Sequence, residues 1–373
     1  MELVDKNASV DRAMEALHWC LTMGHVDVLQ ALLKTHFSQS KLSESAEQCA
    51  SVLTTAVRSG AGDTLLHLLP YVDAEYLRRK QYQANRNEIT RLLCEVVQKG
   101  NANVVKVLLG KDCDVNTFFY GKPLLHLALD LGHVTIAQML LENGADLLLK
   151  DQRGNCVLTA AICSNTENKN EVIDWLITKG ADPSGRGPSG KQPIHIAAAH
   201  TASAIIPLAE AGCDVNAIDL AHGDTPLHIA CTHLCERAVF SLVYYGAKLN
   251  KRNDLGETPL SKLLKLVQNP HNTHSKSRLK LARLLVKIGF TIKGQPENVC
   301  GVRVTRRNGR DKIGDVYRSL QKTCKGVPTL LHLCRLEVRE NMSGVHFCKN
   351  LETLNLPHSL KSYLTFIEDF CDT

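Results

Sequence analysis

No run in these 373 residues approaches the roughly 18 uninterrupted apolar residues that a membrane-crossing helix needs. The first residues, Met1 to Lys6, lack the basic-then-apolar layout of a secretory signal. Glycine-rich phosphate loops, nucleophile elbows and kinase motifs are missing too, which removes the commonest routes to phosphoryl and acyl transfer. A formal charge of +6 is small for this length and does not by itself argue for nucleic acid. The 14 cysteines are scattered through helical segments without a framework spacing, so small buried thiols in a reducing compartment are the better reading. These absences predict a soluble protein of the cytoplasm, with the nucleus as a second compartment. With 44% hydrophobic residues the chain can build one long continuous core or two domains.

What is present is a repeat, most legible over residues 223–260. Thr225-Pro226-Leu227-His228-Ile229-Ala230 opens a helix: the threonine suits a cap, and proline suits the first helical position, where no N–H is missed. Leu227, Ile229 and Ala230 give that helix a slim apolar side. Gly246 suits the left-handed residue that ends a second helix, and Asn253 to Gly256 makes a turn before Thr258-Pro259-Leu260 begins the motif again. His195, His228 and Ser261 stand 33 residues apart. With His228 as ruler, units begin at His18, Thr54, Cys94, His126, Thr159, His195, His228 and Ser261. Glycine recurs six residues later at Gly24, Gly60, Gly100 and Gly132, and terminating glycines stand at Gly144, Gly180, Gly212, Gly246 and Gly289.

This grammar resembles that of the ankyrin-repeat family. The resemblance implies an all-α solenoid of about eight helix-turn-helix repeats with β-hairpin fingers, over residues 1–322, with a degenerate ninth unit near 313–320. A single repeat cannot bury its own apolar faces, so stacked neighbours must cover them. Trp19 makes the first unit atypical, as suits an end cap.

The period slips in three places, and insertions in a solenoid map to loops. Residues 70–88 carry Tyr71, Tyr76, Arg78, Arg79 and Tyr82, types that dominate interface hot spots, and are the candidate substrate-binding residues. Residues 164–170 and 269–277 fit neutral loop drift better. Lys276 to Lys312 is basic, yet Phe290 is its only aromatic; solvated helix faces explain it better than a nucleic-acid interface. His228, Cys231, His233 and Cys235 invite a zinc site, but no second pair at a suitable spacing completes four ligands. One histidine per repeat (His126, His195, His228) is scaffold logic rather than catalysis, so neither a metal, a cofactor nor an enzymatic activity is expected. Asn116 and Asn216, each in Cys-Asp-Val-Asn, resemble the asparagines that an asparaginyl hydroxylase modifies in ankyrin proteins; a turn-forming asparagine is the plain alternative.

After Gly326 the 33-residue grammar stops. Pro328 and Thr329 suit a helix start, and Leu330, Cys334 and Val338 follow at i, i+4 and i+8. Leu331, Leu333 and Leu336 supply a second apolar face, more than a capping helix needs. Further on, Leu354-Asn355-Leu356-Pro357 leads into Leu360, Tyr363 and Leu364. Together these two halves resemble a SOCS box over residues 323–373, with an Elongin C-binding part near 327–339 and a cullin box near 351–366. Asn355 stands where that pattern carries its first proline. The family implied is that of ankyrin repeat and SOCS box proteins. It implies that Thr329, Leu330, Cys334 and Val338 contact Elongin C, and that Leu354, Leu356, Pro357, Leu360, Tyr363 and Leu364 contact cullin-5 with its RING partner. Elongin B would come with Elongin C, and the repeats would hold a protein marked for ubiquitination. A non-catalytic ankyrin scaffold that assembles no ligase is the competing expectation.

Overall fold

The structure, a computed structural model, describes residues 15–36, 88–110, 113–267, 275–287, 347–354 and 356–365, with the single positions Val52, Thr55, Ala56, Leu68 and Arg339. The candidate residues Tyr71, Tyr76, Arg78, Arg79, Tyr82, Thr329, Leu330, Cys334 and Val338 lie outside them, as do Gly60, Gly289, Asn355 and the degenerate unit at 313–320. Among the described residues no helix is long and apolar enough to cross a membrane. The chain divides into two compact units, one of residues 1–152 with 164–166, the other of 153–163 with 167–373.

The first unit contains helices α1 (residues 15–23), α2 (Val26–His36), α3 (Glu88–Lys99), α4 (Ala102–Leu109), α5 (Leu124–Asp130) and α6 (Val134–Glu142). Each pair is two short helices back to back, and neighbouring pairs stack first helix on first helix and second on second: α3 on α5, α4 on α6. Small and branched residues at the contacts (Val104, Val105, Ala128, Ala137, Ile136) are buried, which allows the close spacing. Asn101 starts α4 with its side chain accepting the Val104 N–H at 3.2 Å. A hairpin precedes α5: β1 (Phe118–Phe119) runs antiparallel to β2 (Lys122–Pro123), pairing Phe118 with Pro123 and Phe119 with Lys122. Tyr120 and Gly121, both at positive φ, make the two-residue turn that matches strand twist.

The second unit repeats the pattern with α7 (Val157–Cys163), α8 (Lys169–Thr178), α9 (Pro193–His200), α10 (Ile205–Glu210), α11 (Pro226–Thr232), α12 (Glu236–Tyr244), α13 (Pro259–Val267) and α14 (Ser275–Lys287). Helices α7, α9, α11 and α13 form one row, and α8, α10 and α12 another. Helices α15 (Phe347–Thr353) and α16 (His358–Thr365) belong to this unit. Within each unit the helix pairs thus stack in the all-α manner that the ankyrin resemblance implies.

The fingers depart from that expectation. Among the described residues only the one at 118–123 carries a strand ladder. The others have one backbone bond across the mouth of the finger: Gly187 N–H to Lys191 O (2.8 Å), Asp219 N–H to Asp224 O (3.0 Å), Asn253 N–H to Glu257 O (2.9 Å). One rung makes a turn, not a strand pair. Bonds to a neighbouring finger occur with and without a ladder: Gln152 N–H to the Gly121 carbonyl at 2.8 Å and Asp254 N–H to the His222 carbonyl at 3.0 Å.

Candidate functional site

Two classes of candidate residue turn out to be joints of the scaffold. His228 accepts the Thr225 N–H on Nδ1 (3.1 Å), which fixes the proton on Nε2, and Nε2 donates to the Glu257 carbonyl of the next finger at 3.0 Å. His195 repeats this with the Gln192 N–H on Nδ1, and with the Ala217 and Asp224 carbonyls, both at 3.2 Å. His126 reaches the Leu149 carbonyl at 3.0 Å. Burial pushes the pKa of all three below that of an ordinary histidine, so they stay neutral in these bonds. Both nitrogens of His228 are committed, and burial drives the Cys231 thiol up, which removes two of the four side chains that suggested zinc. Asp219, His222 and Asp224 bring ligand-type atoms within 4.8 Å of one another. Their carboxylates are already engaged: Asp219 by the His222 and Asp224 N–H groups (3.0 and 3.1 Å), Asp224 by Asn253 (2.9 Å) and Lys262.

Asn116 and Asn216 occupy one and the same geometry in their two units. Each sits in a turn made by the aspartate two residues earlier, whose Oδ1 accepts the asparagine N–H at 2.9 and 2.8 Å. Each amide then clips the next repeat, donating to the Gly144 or Gly246 carbonyl (3.2 Å in both) and accepting from the Asp146 or Lys248 N–H (2.8 and 2.7 Å). Asn216 is buried and Asn116 half-buried.

The tail is a different kind of surface. After α15 the chain turns tightly, with the Leu356 N–H on the Leu354 carbonyl at 2.8 Å, and Pro357 lends its carbonyl to the Leu360 and Lys361 N–H groups (3.0 and 3.1 Å) to start α16. Phe347, Leu351 and Leu364 bury one another, with half-buried Leu356 packed alongside. Leu354 and Leu360 face outward at 40% and 36% exposure, beside exposed Pro357. The six residues expected at a cullin therefore fall into two groups, an outward trio and an inward pair, with the Tyr363 side chain outside the described part.

Comparison with known proteins fits both halves. A family model for ankyrin repeats matches residues 53–151 and 158–253, more than half of the chain, and one for the SOCS box matches 326–365. The chain belongs to the ankyrin repeat and SOCS box family. Human ankyrin repeat and SOCS box protein 16 is 27% identical over 278 residues, 69% of this chain and 60% of that protein. Human neurogenic locus notch homolog protein 2 is 28% identical over 166 residues, and L-asparaginase of Dirofilaria immitis 29% over 179. The matched region covers 7% of the Notch protein and 30% of the asparaginase, so the likeness there is to a part of each. The buried histidines hold the matched repeats together.

Residues that sequence reasoning missed sit where the tail meets the repeats. Arg339, Phe347 and Lys349 make those contacts. All three lie inside the recognised box, but its pattern of leucines, cysteine and proline assigns them no contact, and the only signal is their type, an aromatic and two cations.

Proposed function

We propose that this chain is the substrate-recognition subunit of an Elongin B/C–cullin-5–RING ubiquitin ligase. The repeats hold a target protein while Thr329, Leu330, Cys334 and Val338 engage Elongin C; Leu354, Pro357 and Leu360 meet the cullin. The observation that carries the reading is the pairing of a repeat stack with a C-terminal SOCS box in one chain. The outward position of Leu354, Pro357 and Leu360 supports it, because an exposed apolar trio left over after Phe347, Leu351 and Leu364 are buried suits a docking surface. The chain supplies no reactive group. Holding target and charged conjugating enzyme together raises their effective concentration, and tethering does so without new chemistry. Tyr71, Tyr76, Arg78, Arg79 and Tyr82 are the proposed grip on the target, and Asn116 and Asn216 the proposed hydroxylation points. The proposed compartment is the cytoplasm, with the nucleus second.

Co-purification from cells tests the reading. The intact chain is expected to bring down Elongin B and Elongin C, and Leu330→Ala with Cys334→Ala to reduce recovery about tenfold or more, since burying one leucine is worth roughly 1.5–3 kcal/mol. A well-folded chain whose partners ignore those substitutions is a scaffold without a ligase, and the proposal fails.

A further inference from the structure

Arg339 is a cation enclosed by helix ends. Only 5% exposed, its guanidinium donates one N–H to the Val243 carbonyl in the last turn of α12 and another to the Leu364 carbonyl in the last turn of α16. Its Cζ lies over the Phe347 ring, 4.8 Å from the ring centre. The last carbonyls of a helix lack intrahelical donors and carry the negative end of its dipole. Two such ends converging on one planar five-donor fork, with an aromatic ring on its face, is a geometry that arginine fills and lysine does not. Phe347 in turn, 1% exposed, presses on Gly246: a Cβ there would stand 2.6 Å from the Phe347 Cβ. Lys349 reaches the Glu210 carbonyl at 3.2 Å, so the contact spans the ends of two second helices, α10 and α12.

We propose that Arg339 is the positioning residue that welds the C-terminal module to the second-helix row of the second unit, so that whatever docks on the tail is held at one angle to those repeats. This rests on the ligase reading for its consequence, although the weld itself does not need it. A flexibly hung tail would let the conjugating enzyme reach lysines over a wide sweep; a welded one restricts it to a few. The restriction acts through two helix C-termini rather than through any contact with target or enzyme.

The experiment uses the purified full chain in native form and as Arg339→Met, Arg339→Lys and Phe347→Leu. Amide exchange is followed at Gly246, whose N–H bonds the same Val243 carbonyl at 3.1 Å, and along α16. Exchange at both places is expected to quicken about tenfold or more in Arg339→Met and Phe347→Leu while α11 stays protected, with Arg339→Lys failing to restore it. In a ligase reconstituted with the Elongins, cullin-5 and its RING partner, Phe347→Leu is expected to spread self-ubiquitination over more lysines of the chain. Native exchange in both Arg339→Met and Phe347→Leu, full rescue by lysine, or an unaltered lysine pattern would overturn the proposal. Should Arg339→Met unfold α11 as well, Phe347→Leu alone decides. Failure of the native chain to recover the Elongins sinks the ligase reading and leaves the exchange result to judge the weld.

Discussion

At Ser261 the chain has run a substitution experiment on its own histidine. Ser261 Oγ accepts the Thr258 N–H at 2.7 Å, as His228 Nδ1 accepts the Thr225 N–H, but it then donates back to the Thr258 carbonyl at 2.9 Å instead of reaching forward. A hydroxyl reproduces the near half of the histidine and cannot span to the next finger. His228→Ser should therefore keep α11 capped yet take one of its two donors from the buried Glu257 carbonyl, which keeps the Asn253 N–H, at a cost of roughly 0.5–1.5 kcal/mol measured by urea unfolding. The three buried histidines also set a pH dependence. Their folded pKa values lie below the ordinary value of about 6.5, so the unfolded chain binds more protons wherever they titrate. Stability is then level above about pH 7 and falls as pH drops below about 6.5 toward the folded values. Glu257 adds a separate loss at lower pH. Burial alone would raise its pKa, but hydrogen bonds from Lys265 and Asn253 and the charges of Lys265 and Lys262 hold it below the usual carboxylate range. Urea midpoints measured from pH 8 to 5 should show the histidine slope, flattened in His195→Asn with His228→Asn; an unchanged slope in that double variant would refute the assignment.

Among the described helix pairs, the break between the two helices falls on glycine at Gly24, Gly100 and Gly132, all at positive φ, and on Leu234 where the period calls for another. Leu234 adopts φ 58° all the same. A branched side chain in the left-handed region costs about 1–2 kcal/mol, so the repeat is holding its turn against local preference. Leu234→Gly is expected to stabilise the chain by about 0.5–1 kcal/mol, less whatever packing the half-buried side chain contributes, and a thermal melt would register it as a higher midpoint. This is also where the sequence was easiest to read. The Thr-Pro-Leu-His motif fixes a helix start and its partner carbonyl together, so helix pairs and histidine joints follow from one pattern. Finger ladders were not legible, because the repeat motif fixes the helix starts and their partner carbonyls but not how many rungs the intervening turn closes.

Across the molecule, sequence legibility ends where contacts become distant along the chain. Leu354, Leu356, Pro357, Leu360 and Leu364 could be recognised as a box from their spacing, yet spacing does not say which of them the fold consumes. Burial does. Leu364 is 5% exposed and packed with Phe347 and Leu351, whereas Leu360, four residues earlier on the same helix, is 36% exposed. Substitutions at the two positions should thus have opposite consequences. Leu364→Ala removes buried contacts, is expected to cost about 2–5 kcal/mol, and should loosen the tail whether or not a cullin is present. Leu360→Asp with Leu354→Asp leaves the internal cluster intact, so the melting midpoint should barely move. On the ligase reading it should still abolish cullin-5 capture by the Elongin-bound complex. Thermal melts and cullin pull-downs on the two sets of variants separate the roles: a pull-down unaffected by the aspartate pair would mean that the outward trio is not the cullin surface, whatever else the tail does.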